Sequence, residues 1–154
     1  MAPNPAGGPP ERNSERDPAD ETERGPERYR DRYGELLGIE VVEVGEGRAR
    51  VALTAGERHA NFLGLVHGGA VFSLADAALA AASNSEADRT AVATVVTIHL
   101  LRGCRPGDRL LAEAEPEHRG GRLGLYRITV VRLPERELVA VAVGQVSIGP
   151  GRSS

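Results

Sequence analysis

The 154-residue chain contains no tryptophan, two phenylalanines, three tyrosines, one methionine and one cysteine, and all 19 of its basic residues are arginine. A single cysteine, Cys104, excludes an internal disulfide and a cysteine-built zinc knuckle. So few aromatic rings cannot supply a base-stacking platform. A net charge of −3 lacks the basic face of a dedicated nucleic-acid binder. There is no apolar signal core near the N-terminus. The longest largely apolar run, residues 69 to 82, is interrupted by Asp76 and falls short of the roughly 20 residues that span a bilayer. No membrane association is expected, and the chain reads as a cytoplasmic protein.

Catalytic signatures are missing too. No G-x-S-x-G elbow, Walker loop or dinucleotide fingerprint occurs. This sets aside a serine hydrolase, an NTPase and a Rossmann dehydrogenase. The four histidines show no zinc spacing such as H-E-x-x-H, so no metal is expected. His59 and His99 read as surface or packing residues. Cys104, in a Gly/Pro/Arg loop with no base beside it, reads as a bystander thiol acidified by nearby arginines.

Two regions are present. Residues 1 to 28 hold six of the ten prolines, seven acids and four arginines, but no Leu, Ile, Val or aromatic residue. Such a segment cannot bury enough apolar surface to offset its ordering entropy and is expected to be a disordered tail. Residues 29 to 154 form the folded domain. Tyr29 to Leu37 suggests a short helix ended by Gly38, and Gly68 to Ser83 a long alanine-rich helix whose stripe of Val71, Leu74, Ala78 and Ala82, widened by Phe72, is buried. Strands are expected over Ile39 to Val44, Arg48 to Thr54, Ala91 to Leu101, Arg109 to Glu117, Arg122 to Leu133 and Leu138 to Ile148. Four successive strands without intervening helices make the class α+β, with an antiparallel sheet covering one central helix.

Chemistry concentrates in residues 59 to 69. This segment gathers Asn61, His67, Gly68 and Gly69 immediately before the buried helix. Adjacent glycines at a helix start let unpaired backbone N–H groups, at the positive end of the dipole, approach an oxygen that gains charge in acyl transfer. The same glycines also serve a purely steric tight start. Asp76 lies nine residues after His67, on a helical face shared with Gly69, Ser73, Ala80 and Ser83. A carboxylate among Leu and Ala costs stability unless it is paired or lines a cleft or interface, although a solvent-facing Asp is the simpler reading of that residue alone.

The pattern Asn61-x5-His67-Gly68-Gly69-x6-Asp76, followed by Ala82-Ser83-Asn84-Ser85, resembles the hotdog-fold acyl-CoA thioesterases, closest to the phenylacetate-catabolism (hydroxyphenylacetyl-CoA, PaaI-like) family. The likeness continues through residues 91 to 98, Leu101-Arg102, Gly107-Asp108, His118-Arg119-Gly120-Gly121 and Tyr126, covering roughly residues 34 to 149. It implies a six-stranded antiparallel sheet wrapped around the long helix, in a homodimer commonly paired again into a tetramer, with active sites between protomers. By position, Asp76 would be the base or nucleophile, the Gly68 N–H would polarise the thioester carbonyl, and Asn61 and His67 would place carbonyl or water. Gly69 and Thr94 would adjoin the substrate. Coenzyme A, part of the substrate and the only cofactor implied, would meet Arg102, Arg105, His118, Arg119, Gly120 and Arg122. Where relatives often carry Pro after the arginine, this chain has Gly103, and His99 stands where some carry an acid. Acyl preference would depend on Phe62, Phe72 and His99. Two other readings of the fold stand beside hydrolysis, a non-catalytic acyl-CoA binding module and an acyl thioester hydratase or dehydratase using His67 with Asp76.

Overall fold

The computed structural model describes residues 25–86 and 88–151. Most of the segment assigned to a tail lies outside them. Its last residues, together with Tyr29, form one turn of 3-10 helix, Pro26–Tyr29. Tyr29 packs against the core and donates its hydroxyl to the Asn84 carbonyl at 3.1 Å. The first helix is shorter than the apolar pattern suggests. The Asp31 backbone is extended and its carboxylate accepts from the Gly34 N–H at 2.6 Å, so Asp31 caps a helix α1 that spans only Arg32–Leu37. Gly38, at φ 80°, ends it in the left-handed conformation.

Six strands follow, β1 (Ile39–Gly45), β2 (Arg48–Thr54), β3 (Ala91–Leu100), β4 (Arg109–Arg119), β5 (Leu123–Leu133) and β6 (Glu137–Ile148), with helix α2 (Gly68–Ser83) between β2 and β3. They form one antiparallel sheet in the order β1-β2-β4-β5-β6-β3. The α+β hotdog architecture expected from the sequence is therefore present. Period-two alternation sends Val51 and Leu53 of β2, Leu110 and Ala112 of β4, Tyr126, Ile128 and Val130 of β5, and Ala140, Ala142 and Val146 of β6 to one buried face.

Helix α2 lies on that face and touches all six strands. Its inner residues are small, with Ala75, Ala78, Ala81 and Ala82 buried around Leu74 and Leu79, so helix and sheet approach closely. The approach is tightest at Gly144 on β6, where a Cβ would stand 2.4 Å from Leu79 Cδ2. Phe72, expected in the buried stripe, is 36% exposed. The ends of α2 fix its direction. The Asn84 side chain bonds both the carbonyl and the N–H of Ala91 at the start of β3, at 2.9 Å each. Gly68 lies against Leu100 at its end, where an added Cβ would be 2.8 Å from Leu100 Cδ1. Helix α2 therefore runs antiparallel to β3.

Among the described residues, strand β3 pairs with β6 on one side and has no strand on the other. It is apolar yet open, with Val92 63%, Val95 53% and Leu100 53% exposed. An uncovered apolar edge of this length is a template for another strand. The packing predicts that Gly144→Ala overfills the Leu79 contact and lowers unfolding free energy by about 1–3 kcal/mol. Gly45→Ala, where a Cβ would meet nothing within 4 Å, should fall within about 0.5 kcal/mol of wild type. Urea denaturation of the two variants checks the pair.

Candidate active site

The segment between β2 and α2 is held by its own polar groups. His59 is buried at 4% exposure, donates through Nε2 to the Leu37 carbonyl at 2.7 Å and accepts the Gly56 N–H at Nδ1 at 2.9 Å. It ties α1 to this loop and is a packing residue. The Asn61 Oδ1 accepts the N–H groups of Leu63 (2.9 Å) and Leu65 (3.1 Å), closing a tight Asx loop. Its carbonyl side is therefore committed, which leaves the Nδ2 amide as the group it can offer a ligand.

His67 caps α2. Its Nδ1 accepts the Gly69 N–H at 2.8 Å, which places the ring proton on Nε2 and makes the exposed edge of the imidazole a donor. The same bond uses the Gly69 N–H, so Gly69 contributes no donor of its own. An added Cβ at Gly69 would stand 2.9 Å from His67 Nδ1, so the glycine is what permits this cap. The Gly68 N–H, at the first helical position, has no acceptor among the described residues. Asn61, His67 and Gly68 thus present three donors from one loop.

Asp76 lies on α2, half-buried, on the face carrying Gly69 and Ser73. Burial first, and then the charge of Asp31, raise its carboxyl above the ordinary aspartate value. Eight residues of helical rise separate it from Gly68 by about 12 Å. One thioester carbonyl cannot be reached from both in the same chain. Two open grooves, of about 510 Å³ on the outer face of the sheet between Arg48 and Glu115 and about 550 Å³ beside α1, contain none of these residues.

The structure also separates the two arginine groups expected at coenzyme A. Arg102 and Arg105 follow β3 near the start of β4, where the Val66 N–H bonds the Cys104 carbonyl at 2.8 Å and so joins this loop to the Asn61 segment. His118, Arg119, Gly120 and Arg122 lie at the other end of β4, roughly 30 Å away at strand rise. Arg102 is paired with Glu137 at 2.5 Å, and Arg119 with Glu86 at 2.6 Å beside the C-terminal end of α2. Thr94 sits in a bulge of β3 and exchanges hydrogen bonds with Gln145, at 3.2 Å to its carbonyl and 3.2 Å from its amide. Gln145 lies between the buried Gly144 and Val146 and faces away from α2, so the Thr94 hydroxyl does not reach the Asp76 face. Cys104 is buried, and burial raises its thiol above the ordinary value, against the acidified thiol expected from its arginine neighbours. Among the described residues no cluster of His, Cys, Asp and Glu could hold a metal, and no helix is long and apolar enough to cross a membrane.

One contact leaves almost no mark in the sequence. The Tyr33 hydroxyl on α1 meets Ser73 Oγ at 3.0 Å, laying α1 over the Asp76 face of α2. The only hint in the sequence is that Ser73 and Asp76 share that face.

An antiparallel sheet around one central helix is the hotdog architecture, here with a donor-bearing loop at the helix start and an acid midway along the helix. The thioesterase superfamily model matches residues 63–139, and the chain belongs to that family. A Deinococcus radiodurans protein named "Putative esterase" is 44% identical over 115 residues, 75% of this chain and 77% of that one. Acyl-coenzyme A thioesterase PaaI of Escherichia coli is 39% identical over 106 residues, 69% of this chain and 75% of that one. The structure of the E. coli PaaI protein, from the phenylacetic acid degradation operon, superposes with a TM-score of 0.76 at 35% identity, covering 83% of this chain and 91% of that one. A Streptococcus mutans structure bound to acetyl CoA matches with a TM-score of 0.69 at 25% identity, over 75% of this chain and 91% of that one.

The Asp76 environment predicts a pH-dependent stability. The folded chain holds this proton more tightly than the unfolded chain, whose value is about 3.9. Folding therefore takes up a proton between the unfolded and folded values, and stability falls as pH rises through that interval. Asp76→Asn should melt above wild type at pH 7, and the difference should vanish near pH 3. Thermal scans at both pH values check this, and a lower melting temperature for the variant at pH 7 would contradict it.

Proposed function

We propose that the chain hydrolyses acyl-CoA thioesters at a site shared by two protomers, with Asp76 of one facing Asn61, His67 and Gly68 of the other. The observation that carries this reading is the spacing along α2. Acid and donors stand about 12 Å apart in one chain, so a second chain must complete the set.

The open edge of β3 supplies the means. A two-fold axis through the middle of β3 would pair it with its copy antiparallel, burying Val92, Val95 and Leu100. Because α2 runs antiparallel to β3, the two α2 helices would then lie side by side in opposite directions. Each donor loop, at the β3 end of its own chain, would come toward the Asp76 half of its neighbour. The same operator would set Arg102 and Arg105 of one chain beside the partner's His118 to Arg122 turn, joining two cationic groups that one chain keeps apart. Arginines gathered there suit the phosphates of coenzyme A. The names of the relatives agree, one being an acyl-coenzyme A thioesterase and another structure holding acetyl CoA.

In this arrangement the Gly68 N–H, the Asn61 amide and the His67 Nε2–H converge on the thioester oxygen as it gains negative charge. Asp76 takes a proton from water as the hydroxyl adds to the carbonyl carbon, and that proton then neutralises the departing CoA thiolate. Direct attack by Asp76, forming an anhydride that water opens, uses the same geometry. Hydration of a carbon–carbon double bond by His67 with Asp76 would need an imidazole nitrogen free to take up a proton, whereas Nδ1 is occupied by the Gly69 N–H and Nε2 carries the ring proton.

A thiol-release assay over phenylacetyl-CoA, a hydroxylated aryl-CoA, and short, medium and long aliphatic acyl-CoAs tests the reading. Turnover of at least one member is expected, with a loss of about 10²-fold or more in Asp76→Ala. Equal rates for a folded Asp76→Ala protein would remove the role given to Asp76. Saturable acyl-CoA binding with no thiol release would favour a binding module.

A further inference from the structure

The loop that carries the donors is closed at its base. The His67 N–H donates to the His59 carbonyl at 2.7 Å, Ala60 bridges Val66, and the Asn61 N–H donates to the Leu65 carbonyl at 2.7 Å. Residues 59–67 therefore make a narrow antiparallel loop with His59 and His67 as its two feet. His67 leads directly into Gly68 and α2. A displacement of His59 is thus passed to the residue that caps the helix.

The His59 ring fixes that foot. Its Nδ1 accepts the Gly56 N–H, so the ring proton sits on Nε2 and is given to the Leu37 carbonyl. Leu37 is the last residue of α1, and its carbonyl has no partner within that helix. The ring is buried, so water does not stand in for either bond. At its other side α1 is tied to α2 through the Tyr33 hydroxyl and Ser73 Oγ. One imidazole therefore braces the base of the donor loop against a helix that is itself anchored on α2.

Resting on the hydrolase reading, we propose that His59 is a positioning residue. By holding the foot of the loop against the end of α1, it keeps the His67 cap in place and so aims the His67 Nε2–H and the Gly68 N–H at one oxygen. It touches no substrate and acts only through His67.

Two variants separate the two ring bonds. His59→Asn keeps an acceptor where Nδ1 stands but cannot reach Leu37, whereas the longer amide of His59→Gln can donate to Leu37. In His59→Asn, kcat for the best acyl-CoA should fall about tenfold with KM near wild type, less than the roughly 10²–10³-fold cost of removing an oxyanion donor outright. His59→Gln should recover most of that loss. Ring nitrogen shifts of His67 give a readout independent of turnover. They should report a single Nε2–H tautomer in wild type and His59→Gln, and mixed tautomers in His59→Asn. Wild-type kcat in His59→Asn, an unchanged His67 tautomer there, or an equal loss in both variants would overturn the assignment, since a merely structural histidine lowers melting temperature without moving the His67 signals. If His59→Asn does not fold, His59→Gln decides alone, and loss of its kcat or of the single tautomer overturns the proposal. Absence of thiol release in the wild type fails the hydrolase reading, while the His67 shifts still test the brace.

Discussion

The rise of an α-helix is the constraint on which the arrangement depends. The cap formed by His67 sets where α2 begins, and 1.5 Å per residue then sets where its acid stands. Donors at the first turn and a carboxylate two turns later cannot serve one carbonyl within a chain. The tight contact of Leu79 with Gly144 and the Asn84 bonds to Ala91 hold α2 along the sheet, so the helix cannot slide to shorten the gap. The bare edge of β3, the separated arginine groups and the divided site we propose are then aspects of one geometry.

In the proposed reaction, Asp76 is where stability and chemistry oppose one another. Its flanking residues Leu74, Ala75, Ala78 and Leu79 are buried, and a carboxylate beside them holds its proton more tightly than in water. A base of raised pKa is better matched to proton transfer near neutral pH than an ordinary aspartate. Asp31 strengthens that shift, although its own structural task is to cap α1. The short N-terminal helix is thus tied to the same helix face as the acid.

Most of the architecture could be read from the chain because local signals agreed. Alternation in Arg48 to Thr54, the β-branched run from Ala91, and the alanine-rich stripe of α2 each indicate the element that forms. The apolar pattern from Tyr29 places the start of α1 too early because it passes over Asp31, whose carboxylate prefers a cap to a helical interior. Asn61, His67, Gly68 and Asp76 were recognisable as residue types. Their division across about 12 Å of helix, the commitment of the Gly69 N–H to His67, and the outward turn of Thr94 were not, since each depends on hydrogen-bond partners or on a strand bulge. The Tyr33–Ser73 contact spans forty residues and leaves no periodic trace.

The shared site is tested most directly by complementation. Asn61→Asp keeps the oxygen that holds the Leu63 and Leu65 N–H groups while removing the amide donor, and Asp76→Ala removes the acid from an otherwise intact loop. Each variant alone should be inactive in thiol release. Co-expressed with different affinity tags and purified through both, the mixed oligomer should regain activity, because one site then combines Asp76 of one chain with Asn61 of the other. A mixed oligomer as inactive as its parents would contradict a site divided between protomers.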